Sequence, residues 1–336
     1  MNDGILAEPL IYRRQNGTPH LLINKGYPFP FAYKTGSSYA GKQVSELGLA
    51  VLPEKVSHLD QPQENIQMGF KVTDQHVDEY YRNGFTIFRE LIPASLLSDL
   101  REMADQGLTV ARELNGPQAQ RLQPIIKHIE CKPYFDLLEL QSLRDAVELI
   151  LGEGIYHDRP PNGDDPVAGI LYHPQQKPWC TQWHRDWRDN VADLDINVWK
   201  ERQLDWRIFN QVNCALYEDH CTWVVPGSHL RDDTRAEAKR FPDRPIPRPD
   251  FGELEAAEAE LQGLAYCRSM PGAVQAQLNA GDYMLYRNSL WHLGNYCHYK
   301  KRATIHDGIW TESFWKWFQE HPKQPDGKKE MMNPNR

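Results

Sequence analysis

Apolar positions along this chain follow two periods, and the change from one to the other divides it. Thr73 or Asp74 suits a helix N-cap, and Val77, Tyr80 and Tyr81 then recur at helical spacing up to Asn83-Gly84, a helix end. Phe85-Thr86-Ile87-Phe88 reads as a short strand. Pro93-Ala94-Ser95 opens a second helix carrying Leu96, Leu97, Leu100 and Met103. A third helical pattern runs from Tyr134 to Leu151, with Leu137, Leu138, Leu140, Val147 and Ile150 apolar, and ends near Gly152. From about residue 165 short β-type runs replace it, separated by turns. They are Val167 to Tyr172, Trp179 to Trp183, Val212 to Tyr217, Trp223 to Val225, Tyr283 to Tyr286 and Ala303 to Ile309.

A helical preface (73–160) followed by many short strands (165–312) predicts a mainly β fold with flanking helices, built on a double-stranded β-helix, the cupin-like jelly roll. Residues 231–262 are charged and Pro-rich, then helical in pattern, and read as an insertion over the barrel mouth. Residues 1–72 lack periodicity, and Pro28-Phe29-Pro30-Phe31 cannot lie inside a helix, so an irregular N-terminal arm is expected. A C-terminal helix and polar tail are expected over 313–336.

Composition narrows the class. At 336 residues, with 40% hydrophobic and 25% charged positions, the chain has the profile of a soluble globular protein. A net charge of -8 argues against a nucleic-acid partner. No apolar run is long enough to span a bilayer, and the first residues lack a signal-peptide pattern. Cys131, Cys180, Cys214, Cys221, Cys267 and Cys297 form no CxxC pair and read as free thiols, so a cytoplasmic protein is expected. The oligomeric state is left open.

The chemistry lies in His184-Arg185-Asp186, His292 and Arg302. Two histidines and a carboxylate suit a facial triad on Fe(II), which leaves three coordination positions open. Residues 184 and 186 share one face if they lie on a strand. An isolated HxD is more often a hydrogen-bonded pair at a surface turn; the companions shift the weight. Arg302, ten residues after His292, offers a fork for a carboxylate; facing outward it would only form a surface ion pair. If it faces inward, Thr304 and His306 share its face. Trp183, Trp187, Tyr217 and Trp291 flank the motif and can wall a pocket or simply pack; Arg188 and Asn213 are candidate polar contacts. His229, in Pro226-Gly227-Ser228-His229, is a competing ligand whose place beside a tight turn favours a structural role.

These pieces together resemble the phytanoyl-CoA dioxygenase-like family of Fe(II)/2-oxoglutarate oxygenases. The resemblance covers roughly residues 73–310. Matching pieces are Thr73 to Leu91, Trp183-His184-Arg185-Asp186, Val225-Pro226-Gly227-Ser228-His229, Ala280-Gly281-Asp282, His292 and Arg302. It implies His184, Asp186 and His292 as iron ligands and Arg302 as the partner of the distal 2-oxoglutarate carboxylate. It also implies consumption of O2, release of succinate and carbon dioxide, and oxidation, by hydroxylation first of all, of a C–H bond of a small metabolite of the kind found in secondary metabolism. Lys127 stands near where some relatives place a co-substrate lysine. The chain departs from the family at Glu218-Asp219-His220-Cys221-Thr222, where an acidic-Asn-Gly stretch is usual. It departs again at Gly294, where some relatives carry a hydroxyl; Asn295 or Thr304 would then supply the second carboxylate contact. Halogenating relatives replace the Asp by a small residue, so Asp186 favours hydroxylation or another oxidation over halogenation; ring closure, desaturation and epoxidation would use the same ligands. The competing readings are a jelly-roll metal enzyme without an oxo-acid, such as a cupin-type dioxygenase, isomerase or hydrolase, and a non-catalytic member of the fold.

Overall fold

The computed structural model describes residues 10–15, 18–23, 70–152, 155–157, 167–189, 194–243 and 245–320. The chain divides into two units, Met1–Gln67 and Met68–Arg336. In the first, β1 (Leu10–Gln15) and β2 (Thr18–Ile23) pair as an antiparallel hairpin, a regular element within the arm expected to be irregular. Residues 1–9, 16–17 and 24–69 of that arm and the expected tail beyond residue 320 lie outside the described residues.

In the second unit Thr73 is extended and its amide donates to His76 Nδ1 (3.0 Å), which starts α1 (Asp74–Asn83). Val77, Tyr80 and Tyr81 are the buried face of α1, each contributing on the order of 1.5–3 kcal/mol. Gly84 stops the helix at φ 83°, where a Cβ would stand 2.5 Å from His229 Nδ1, so both backbone and packing demand glycine. The next elements are β3 (Phe85–Phe88), α2 (Ala94–Asn115) and β4 (Arg121–Leu122). The pattern from Tyr134 to Leu151 forms two helices, α3 (Lys132–Leu138) and α4 (Gln141–Leu151). Leu140 leaves the helical region (ψ 114°) and becomes the N-cap of α4, a break that no glycine or proline announces.

The strands that follow are β5 (Ile155–His157), β6 (Gly169–Tyr172) and β7 (Trp179–Cys180), then, after α5 (Ile196–Arg202), β8 (Asn210–Ala215) and β9 (Thr222–Val224). Helices α6 (Arg235–Arg240) and α7 (Ala256–Arg268) precede β10 (Val274–Gln275), β11 (Tyr283–Arg287), β12 (His292–Tyr296), β13 (Ala303–Thr311) and α8 (Glu312–Glu320). Two antiparallel sheets result, in the orders β3-β11-β8-β13-β6-β4, with β5 beside β13, and β10-β9-β12-β7. Their inner faces meet in an apolar layer of Ala215, Val224, Met284, Tyr286 and Leu290. This is the expected jelly roll with flanking helices.

Helix α2 covers the outer face of the larger sheet, where Tyr172 donates its hydroxyl proton to Ala104 O (3.0 Å). The insertion does not sit over the mouth as expected. Phe241, Ile246 and Phe251 of the insertion, with Cys267 and Met270 just after it, pack on Cys180, Trp223, Val225 and Leu293, so this segment clothes the outer face of the smaller sheet, whose apolar side chains would otherwise meet water. All six cysteines are free, and no helix among the described residues is long and apolar enough to cross a membrane.

Candidate metal centre

The histidines belong to two chain segments that meet as an isolated bridge. His184 N donates to His292 O (3.1 Å) and His292 N to His184 O (3.0 Å), which sets their rings 4.2 Å apart. His292 opens β12, which follows β11 after a turn. Asp186 lies in a turn rather than on a strand with His184, and its amide donates to Asn288 O (2.8 Å). Ligand atoms of His184, Asp186 and His292 all lie within 4.8 Å of one another, and the group can hold a metal ion.

Both imidazoles are oriented alike. His184 Nδ1 donates to Gln182 O and His292 Nδ1 to Leu290 O, each at 2.9 Å, so each Nε2 keeps its lone pair for the common point. Burial, then the neighbouring His184, pushes the His292 pKa down to about 4, which keeps the ring neutral. Asp186 Oδ1 is 3.6 Å from His184 Nε2, and the side chains of both are slightly exposed, so one side of the group is open.

Arg185, between the ligands, is a tie. Fully buried, it donates through Nη1 to Ser228 O (2.6 Å), Arg231 O (3.2 Å) and Ser289 O (3.4 Å), and through Nη2 to Asp233 (3.0 Å). Ser228 Oγ in turn accepts from Trp291 N (2.8 Å), so the Pro-Gly-Ser-His turn holds the residue before His292. A lysine cannot fork to four acceptors. Arg185→Lys is therefore expected to lower stability by about 1–3 kcal/mol and weaken metal binding, checked by urea denaturation and iron content. His229 donates to or accepts from nothing at the metal; its Nε2 faces Tyr81 O (3.2 Å), and burial pushes its pKa down to about 3, which accords with a structural role.

On the inner face of the larger sheet the register aligns His306 with Asn213 and Tyr286 with Gln211. Tyr286 donates to Gln211 Oε1 (2.8 Å), Gln211 Nε2 donates to His306 Nε2 (2.8 Å), His306 Nδ1 donates to Asn213 Oδ1 (2.8 Å) and Asn213 Nδ2 donates to Thr222 Oγ1 (3.0 Å). These directions fit one tautomer of a neutral His306, and burial, with the Arg121 charge next, holds its pKa well below the usual value. Tyr286 also packs edge-on against His292 at 5.6 Å.

Arg302 faces inward and is buried, with Thr304 on the same face. Its Nε donates to Asp219 Oδ2 (2.8 Å), which also accepts from the Thr304 hydroxyl. Burial alone would raise the Asp219 pKa, but the Arg302 charge, the Thr304 hydroxyl and the Cys221 amide hold it below the usual carboxylate range. Arg302 Nη1 is buried without a hydrogen-bond partner, an orphaned donor of the kind an anion satisfies.

Several expected site residues lie elsewhere. Trp183 and Trp291 precede ligands in sequence, so alternation turns them to the outer face, under the insertion. Trp187 packs with Trp199, Phe209, Phe314 and Trp317, and Arg188 is engaged by Asp189 and Asp233. Asn295 faces α7, where its Oδ1 would lie 2.9 Å from a Cβ on Gly263, on the face of β12 opposite His292. Lys127 is exposed. Thr304 and Asn213 do face inward, engaged as described. Sequence reading missed Gln211, Tyr286, Tyr296, the pairing role of Asp219, and Arg121, which the register with Leu171 and Thr304 places on the inner face. The alternation around Thr304 and Asn213 carried that information for the strand residues; nothing local pairs Asp219 with Arg302.

The sequence profile of the family described as Phytanoyl-CoA dioxygenase (PhyH) matches residues 80–295. No curated protein matches the chain. Among solved structures the chain is similar to AviO1 from Streptomyces viridochromogenes Tue57, at 16% identity and TM-score 0.46, over 72% of this chain and 96% of that one. It is also similar to EctD from S. alaskensis with bound Fe (17%, TM-score 0.44, 75% and 81%). A further similar structure is the epimerase SnoN in complex with Fe3+, alpha ketoglutarate and nogalamycin RO (14%, TM-score 0.44, 71% and 83%). Likeness at this level concerns the course of the chain and leaves its substrate open.

Proposed function

Because the chain belongs to the phytanoyl-CoA dioxygenase (PhyH) family and is an Fe(II)- and 2-oxoglutarate-dependent oxygenase, we propose that it hydroxylates an unactivated C–H bond of a small metabolite. His184, Asp186 and His292 would hold the iron, and Arg302 would anchor the distal carboxylate of 2-oxoglutarate. The convergence of the three ligand atoms within 4.8 Å carries this reading. The donor set fits Fe(II), since two imidazoles that turn Nε2 to one point and one carboxylate leave positions for co-substrate and oxygen. The orphaned Nη1 of Arg302 fits a carboxylate.

When bound, iron and 2-oxoglutarate supply the oxidising power: O2 is consumed, one oxygen atom enters the substrate and the other leaves in succinate, with release of carbon dioxide. The chain's own work is orientation. The carbonyls of Gln182 and Leu290 aim both Nε2 atoms at one point, and Arg185 holds the two ligand segments together. The Tyr286–Gln211–His306–Asn213–Thr222 chain supplies a hydrogen-bonded wall of uncharged side chains beside the ligand group. Asp186 occupies the place that a halogenating enzyme leaves open, which favours hydroxylation over halogenation.

Anaerobic titration of the apo-protein with Fe(II) and then 2-oxoglutarate tests the reading. A visible metal-to-ligand charge-transfer band is expected, and Arg302→Ala is expected to need much more 2-oxoglutarate to reach it. Iron-loaded, folded protein that gives no band would refute it. Screening metabolites for succinate release then identifies the substrate.

A further inference from the structure

Resting on that reading of Arg302, we propose that the Tyr296 hydroxyl is the second donor to the carboxylate that Arg302 binds. Strand alternation places His292, Gly294 and Tyr296 on one face of β12. The Arg302 guanidinium lies over the Tyr296 ring, 4.4 Å from its centroid, and Trp179 packs edge-on against the same ring at 5.1 Å. The ring is therefore fixed on two sides while its hydroxyl makes no hydrogen bond among the described residues.

Gly294 makes this placement possible. A Cβ there would stand 2.6 Å from Tyr296 Cε2 and 2.9 Å from its hydroxyl oxygen, so any other residue would push the ring away. The ring has taken the space that a side chain at position 294 would fill, and it brings a hydroxyl there. Of the nearby threonines, Thr304 gives its proton to Asp219, and Thr222 Oγ1 accepts from the Asn213 amide, which draws that hydroxyl towards the larger sheet. Asn295 is on the opposite face of the strand. Arg302 itself is held through Nε by Asp219, which leaves Nη1 to share an incoming carboxylate with the phenol.

The experiment is the anaerobic titration on wild type and Tyr296→Phe, with Fe(II) affinity and thermal midpoint measured on both. Phenylalanine keeps the ring, its contact with Trp179 and the guanidinium above it. Midpoint and Fe(II) affinity are expected to stay unchanged while the 2-oxoglutarate Kd rises about tenfold, as for one lost hydrogen bond to a charged group. A Kd within about twofold of wild type would overturn the assignment. So would a loss of Fe(II) affinity as large as the loss for 2-oxoglutarate, because the ring would then be shaping the metal group. A wild type without a band would instead overturn the underlying co-substrate reading.

Discussion

Replacing His292 with alanine is expected to abolish turnover, with 2-oxoglutarate-dependent release of carbon dioxide falling at least about a hundredfold. Changing an outer hydrogen-bond partner of a metal ligand already costs about 10–100-fold, and here the ligand itself is lost. The two remaining groups, His184 and Asp186, both lie in the turn-rich segment after β7, so β12 would contribute no ligand and only two protein groups would be left to hold the iron. The fold is expected to survive. His292 gives up one hydrogen bond, to Leu290 O, at a cost of about 1 kcal/mol, while the backbone bridge to His184 needs no side chain. Iron per chain after gel filtration, carbon dioxide release and the far-UV spectrum together check this. A variant that is folded, iron-loaded and active would remove His292 from the ligand set.

How much of this was legible depended on the range of the interaction. Alternation and capping are local, so Thr73, Gly84, Pro93 and most strands of the larger sheet could be placed from neighbouring residues alone. The HxD motif and His292 stood out because their chemistry is rare in combination. Trp183 and Trp291 show a legible signal that was not used: a residue next to a ligand in extended chain must point the other way. The β13 alternation correctly put Arg302 and Thr304 on one face, but the partner that receives them was hidden. Asp219 sits 83 positions from Arg302 in sequence, and only the closure of the barrel brings it there. The place of the insertion was hidden for the same reason, since its own sequence does not say which apolar face it will cover.

That hidden pair gives the second large effect. Asp219→Asn is expected to lower stability by about 3 kcal/mol, because an amide keeps an acceptor for Arg302 Nε and Thr304 but leaves a buried guanidinium without a counter-charge. The pH dependence follows in sign. The folded carboxyl titrates below its unfolded value of about 3.9, so its contribution is complete above that pH and is lost as pH falls through the folded value. Wild type should therefore lose part of its stability in acid, and Asp219→Asn should lack that part. Co-substrate affinity should move the other way. Asp219 and the distal carboxylate of 2-oxoglutarate would share one guanidinium, and at a few ångströms their repulsion costs more than the amide's slightly poorer hold on Nε. A 2-oxoglutarate Kd about tenfold lower is expected for Asp219→Asn, with a larger thermal shift on adding 2-oxoglutarate than wild type shows. Asp219→Ala removes the acceptor as well, so Arg302 loses its orientation and the gain should disappear. Urea denaturation across pH 2–7 and titration of the three proteins with 2-oxoglutarate would check both halves. Equal or weaker binding by Asp219→Asn would mean that the carboxylate serves the clamp by orienting it rather than competing with its ligand.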